Sequence, residues 1–259
     1  MLYSSVSNKE ETMLALSEDD PVATALASAI HSGDVGKVGR LLGEHPELAS
    51  ARVQGRKAGG GFRTPLHMVA DWPGYFPCGP RIVGMLIDAG ADPSAPCEAD
   101  SPAETPLHWA ASSDDVDVAA ALIDGGADIE APGASIAGGP PLDCAVGYGC
   151  WHVARLLVNR GARVDRLWHA AALGMIPRAK ELLAGDPPPT PEDIDEAFYQ
   201  ACHGGQRRMA EFLLGCGANI NAMPEYSRQT PLDATGTIDT RRGTMTTWLR
   251  ERGAKSANG

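Results

Sequence analysis

Thr64–Ala70 reads TPLHMVA, and Thr105–Ala111 reads TPLHWAA. The phrase returns, altered, as PPLDCAV at Pro140–Val146 and as TPLDA at Thr230–Ala234. A second phrase alternates with it: MLIDAGADP ending at Pro93, ALIDGGADI at Ile129, LLVNRGARV at Val164 and FLLGCGANI at Ile220. In the first phrase a Thr hydroxyl can cap a helix, and the following Pro takes the first helical position, where no N–H is required. A Leu and small residues then form a stripe along which neighbouring helices approach closely. The second phrase carries paired Leu, Ile or Val and ends on a glycine (Gly90, Gly126, Gly161, Gly217, Gly253) suited to a left-handed helix cap. Each double phrase therefore predicts two short helices and a turn.

Weaker copies fill the intervals: ALASAIHSGDVGKVGRLL from Ala25, LWHAAALGMIPRAKELL from Leu167 and AFYQACHGGQRRMAEFLL from Ala197. Seven units then run from Val22 to Gly253, 232 residues in all, or about 33 residues each. These phrases, in this order and at this period, resemble the ankyrin repeat family. The resemblance implies an all-α solenoid of about seven helix-turn-helix units joined by short hairpin connections. A single unit cannot bury both its faces, so units stack, with contacts mainly between neighbours. Residues 1–20 read as a flexible N-terminal segment, 21–254 as the repeat domain and 255–259 as a C-terminal tail.

Departures from the repeat are informative. The second unit carries WPGYFPCGPR at Trp72–Arg81 between its helices, a stretch too rich in Pro and Gly to be helical. In the fourth unit Asp143 replaces the His of the phrase, and Asp233 does so in the last. Leu142 and Leu167 are only 25 residues apart, which leaves no room for a protruding hairpin between them. GASIAGG at Gly133–Gly139 reads as a flexible finger. Thr190, Pro191 and Asp193 form a capping-box-like start, predicting a longer first helix in the sixth unit.

The repeat also predicts which side chains face a partner. Counting from the first Leu of each unit at about 100° per residue, the slots three and four further on rejoin the Leu stripe. They are apolar throughout, from Ala29 and Ile30 to Ala201 and Cys202. The slots two, five and six further on point the other way, and the resemblance makes that direction the inner, concave surface used for partners. Asp71, Trp72, Trp109, Ser112, Ser113, Tyr148, His169 and His203 fall there and form the expected binding set. Tyr75 and Phe76, in the insertion, could fold over one end. In the family the TPLH imidazole links neighbouring turns, so His67 and His108 are read as structural, with Asp143 and Asp233 as capping equivalents. Trp151, Trp168 and Trp248 are read as core.

Composition narrows the function classes. The chain has 259 residues, 33 acidic against 22 basic, and only 5% aromatic. That balance disfavours nucleic acid and anionic lipid, which reward clustered Lys and Arg. No apolar run is long enough for a membrane span, and the N-terminus has no secretory pattern, so a cytoplasmic setting is expected. Six scattered cysteines show no metal-site or disulfide spacing, although Cys78 and Cys97 lie near enough to pair. No phosphate-binding glycine loop, nucleophile elbow or metal helix is present, and no cofactor or metal is expected. AGGGF at Ala58–Phe62 lacks the flanking strand, helix and Lys of a nucleotide loop.

The resulting expectation is a protein-binding module whose groove is lined by Trp72, Trp109 and Tyr148 and whose protein partner is neutral or basic. The alternative is a binder of a small apolar or cationic ligand, or an enzyme. There the aromatics would hold the substrate, and Asp71, His169 or His203 would move protons.

Overall fold

The computed structural model describes residues 14–55, 61–97, 103–236 and 240–257. Among these residues the chain is mostly helical, and it divides into two compact units, 1–135 and 136–259.

The first unit opens with β1 (Ala15–Ser17), then α1 (Pro21–Ser32), α2 (Val35–Glu44) and a 3-10 turn at Pro46–Ser50. It continues through β2 (Arg52–Gln54), β3 (Phe62–Arg63), α3 (Pro65–Ala70), α4 (Gly79–Asp88), α5 (Pro106–Ser112) and α6 (Val116–Asp124). Strand β1 runs parallel to β2, and β2 pairs antiparallel with β3. Residues 15–17 are thus tied into a small sheet, although the sequence reads there as a flexible lead-in; residues 1–13 lie outside the described set. Three residues of AGGGF, Ala58 to Gly60, lie outside it as well, while Gly61 and Phe62 are described.

The second unit holds α7 (Pro141–Gly147), α8 (Trp151–Asn159), α9 (Leu167–Ala172), α10 (Ile176–Leu183), α11 (Pro191–His203), α12 (Arg207–Gly215), α13 (Pro231–Ala234) and α14 (Thr240–Glu251). Helix α11 is the longer helix expected there. Its Thr190 hydroxyl accepts from the Asp193 N–H (3.2 Å), while Asp193 Oδ2 accepts from the Thr190 N–H (2.8 Å). Between α8 and α9 no strand intervenes.

The apolar stripe is the core. Ala29, Ile30, Val69, Ala70, Ala110, Ala111, Ala145, Val146, Ala170, Ala171, Ala201 and Cys202 are all buried. The second helices supply Ile82, Leu86, Leu122, Leu157 and Leu213, each worth about 1.5–3 kcal/mol when fully buried. The glycines that close the second helices, Gly90, Gly126, Gly161, Gly217 and Gly253, all have positive φ, which an L side chain rarely adopts.

Three expectations need correction. The inserted segment stops at Cys78, because α4 begins at Gly79 and takes Pro80 into its first turn, where a missing N–H costs nothing. GASIAGG is not a free finger: within the second unit, Ile136 lies so close to Gly147 that a Cβ there would collide with it. Trp168 and Trp248 are core, but Trp151 is only half-buried. All six cysteines are free thiols, so Cys78 and Cys97 are not bridged.

Candidate functional site

The TPLH phrase builds the frame on which the first unit's surface stands. His67 Nδ1 accepts from the Thr64 N–H (3.2 Å) and lies 2.9 Å from the Thr64 hydroxyl. Its Nε2 lies 3.1 Å from the Glu104 carbonyl, at the threshold of the next phrase. An N–H must donate and a carbonyl must accept, so the network assigns the neutral tautomer protonated at Nε2. Burial is the main reason that the His67 pKa falls to about 4; Glu104 opposes the fall, and His108 and Arg63 add to it. His108 repeats the Thr105 half of this arrangement at 3.0 Å. Trp109 packs edge-on to His67, with centroids 5.0 Å apart, and is half-buried.

Helix α3 then delivers Asp71 and Trp72. Asp71 Oδ2 pairs with Arg63 (3.2 Å), which also pairs with Glu18 (2.9 Å). Asp71 Oδ1 accepts from the Trp72 N–H (2.8 Å). Both oxygens are thus engaged in holding the chain where it leaves the helix. The Trp72 side chain projects outward and is 78% exposed.

The inserted segment is fastened on two sides. Tyr75 donates its N–H to Asp115 and its hydroxyl to the Asp114 carbonyl (2.6 Å). Phe76 stacks on His31 with centroids 4.4 Å apart and planes at 24°. Pro77 sits against Gly33, where a Cβ would meet its carbonyl. Burial, together with the charges of Asp114, Asp115 and Asp117, raises the Tyr75 phenol pKa, although a hydrogen bond with the Val116 backbone tempers it. Ser113 donates to the Ala70 carbonyl (3.1 Å) and Ser112 to the His108 carbonyl (2.9 Å), so both hydroxyls serve the backbone beneath this surface.

In the second unit the predicted residues separate. Tyr148, which caps α7, is exposed. His169 is 1% exposed and does not face solvent. Its Nε2 approaches Asp143 Oδ1 to 2.9 Å, within ion-pair reach but poorly aligned for a hydrogen bond. Asp143 Oδ2 accepts from the Gly139 N–H (3.2 Å) and lies 3.3 Å from Arg166. Asp143 therefore links one unit of the repeat to the next, as His67 does. The slot two residues after the stripe Leu is exposed at Ser28 and half-buried at Trp109, but elsewhere it is covered. Met68, Cys144, His169 and Gln200 are all buried there, because side chains at that slot pack between adjacent helices.

His203 is half-buried, with Nδ1 3.3 Å from Gln200 Oε1. Its ring meets Trp151 edge-on (5.1 Å) and lies 6.4 Å from Tyr199, which in turn meets Tyr226 (6.3 Å). The Tyr226 hydroxyl accepts from Gln200 Nε2 (3.1 Å) and also hydrogen-bonds Glu196. Tyr226 and Met223 border a cleft of about 280 Å³ with Glu192, Asp195, Glu196 and Glu225. On the other side of the start of α11 lies a larger cleft, about 720 Å³, bordered by Asp165, Arg166, Trp168, Glu181, Asp186 and Glu196. Neither cleft is lined by Asp71, His169 or His203.

Tyr199, Tyr226 and Met223 were not anticipated. Glu192, Glu196, Tyr199 and His203 recur at helical spacing on α11, a readable signal, whereas Tyr226 comes from the loop after α12 and carries none. Among the described residues, no cluster of His, Cys, Asp and Glu could hold a metal ion, and no helix is long and apolar enough to cross a membrane.

Residues 66–166 match the family model for ankyrin repeats in three copies. No curated protein matches the sequence. Ankyrin repeats generally mediate protein–protein interaction. The matched stretch runs from Leu66 through the second Thr-Pro-Leu-His helix and its Asp-bearing variant to Arg166, and over these residues the chain is similar to ankyrin repeats.

Proposed function

We propose that the chain is a protein-binding module of seven ankyrin units whose first half anchors a neutral or basic protein partner on Trp72. The exposed Trp72 ring on a fastened segment carries this reading. A large aromatic side chain held ready on an ordered loop is the usual form of a binding hot spot, since little freedom remains to be lost on association. Trp109, Ser112 and Ser113 support that platform within the first unit; Tyr148 and His203 are candidate contacts of the second unit, taken by itself.

Charge defines the partner. Residues 1–135 contain 20 acidic and 8 basic side chains, a net −12, and Asp114, Asp115 and Asp117 stand close to the platform. The acid–base alternative has no comparable support: Asp71 has both oxygens engaged, and His169 is shut away from solvent.

The test is affinity capture from cell lysate with the full chain and with Trp72→Ala. Loss of an exposed anchor should weaken retention of the specific partner by about 2 kcal/mol, or ~30-fold, with unchanged circular dichroism. Equal recovery of every specific partner by both proteins would remove Trp72 from the interface.

A further inference from the structure

The cleft beside the start of α11 has the composition of a receptor for a positively charged side chain. Four carboxylates occur within five residues, Glu192, Asp193, Asp195 and Glu196. Solvation of a helix N-terminus does not account for all of them. Asp193 closes the capping box, Asp195 accepts from the Asn219 N–H (2.6 Å), and Glu196 hydrogen-bonds the Tyr226 hydroxyl. These bonds fix the carboxylates, and they fix a wall as well. Tyr226 is held at its hydroxyl by Gln200 and Glu196, yet the residue remains 63% exposed, as is much of Met223, which lines the same cleft.

This concentration of acid is local. Residues 136–259 contain 14 basic and 13 acidic side chains, a net +1, so the cleft stands out against a nearly neutral half. The neighbouring cleft shares Asp193 and Glu196 but also holds Arg166, and its Asp165 and Glu181 pair with Arg178, whereas no basic residue lines the Tyr226 cleft.

We propose that this cleft docks a basic, extended segment of a partner protein, with one arginine or lysine laid along Tyr226 and Met223 and its charge set against Glu192 and Glu225. An aromatic face and carboxylates reinforce each other for such a side chain: the ring attracts the cation and covers its apolar stem, while the carboxylates neutralise it. The inference rests on the protein-binding reading but uses a surface separate from Trp72.

Fluorescence anisotropy of the full chain with a fluorescein-labelled octapeptide of alternating Arg and Gly tests it. Saturable binding is expected, with an alternating Glu and Gly peptide inert. Tyr226→Ala should weaken binding about fivefold to tenfold. Glu192→Lys, on an exposed side chain, should weaken it at least as much, with circular dichroism checking that the fold is kept. Asp117→Asn combined with Asp124→Asn, on α6, and Trp72→Ala should each leave binding within about twofold. If the α6 pair loses as much as Glu192→Lys, the attraction is diffuse and the proposal fails. It also fails if Tyr226→Ala and Glu192→Lys bind as the wild type does. Loss of capture by Trp72→Ala with peptide binding intact would separate the two surfaces.

Discussion

His67 shows how one residue type at one position can serve the whole repeat. Its imidazole accepts from the Thr64 N–H and reaches the Glu104 carbonyl, so one ring closes its own turn and holds the next. Protonating Nδ1 would set two donors against each other in a buried site. Burial, which disfavours the charged ring, is the main cause of the shift from 6.5 to about 4. Because the folded pKa lies below the unfolded one, the unfolded chain binds more protons between these values. Stability is therefore full above pH 6.5 and declines as pH falls towards 4, by roughly 3 kcal/mol for this group. Urea denaturation across that range should show the decline, and His67→Gln should be less stable at neutral pH but markedly flatter below it. An equally steep decline in the variant would assign the pH dependence to other groups.

At the scale of the helices, the apolar stripe and the closing glycines were legible because they repeat: every unit needs the same small residues at the same seam. The exceptions follow from contacts that a linear pattern does not encode. Slot two reads as exposed on an isolated helix, but packing between helices covers Met68, His169 and Gln200. The insertion reads as a loop, yet its fastening depends on Asp114, Asp115 and His31, residues distant in sequence. Tyr226 becomes part of a cleft only because Gln200 and Glu196 hold it. Glycines in the second unit separate these two kinds of constraint. At Gly204 a Cβ would press into the Ala172 carbonyl, a backbone atom that cannot turn aside; at Gly215, on α12, nothing lies within 4 Å. Gly204→Ala should destabilise by about 1–3 kcal/mol. Gly215→Ala should be neutral or stabilise by up to about 1 kcal/mol through helix propensity. Denaturation midpoints check the pair, and a harmless Gly204→Ala would mean that α9 and α11 can part at little cost.

Across the whole chain, charge and anchoring are distributed differently and should control different steps of association. If the proposed partner is basic, the net −12 of residues 1–135 creates a field that would reach it before contact. In the proposed complex the exposed Trp72 ring would act only once surfaces meet. Screening shortens the reach of the field from about 30 Å at 0.01 M salt to about 3 Å at 1 M, so the association rate of the captured partner should fall with added salt. An increase from 20 to 500 mM should slow it about tenfold or more, with a much smaller change in dissociation. Trp72→Ala should show the opposite division, shortening the lifetime of the complex while leaving the salt dependence of association intact. Surface plasmon resonance with the captured partner immobilised measures both rates. A salt-independent association rate would mean that the acidic half does not steer the encounter. A Trp72→Ala defect confined to association would mean that the ring guides the approach without anchoring the bound state.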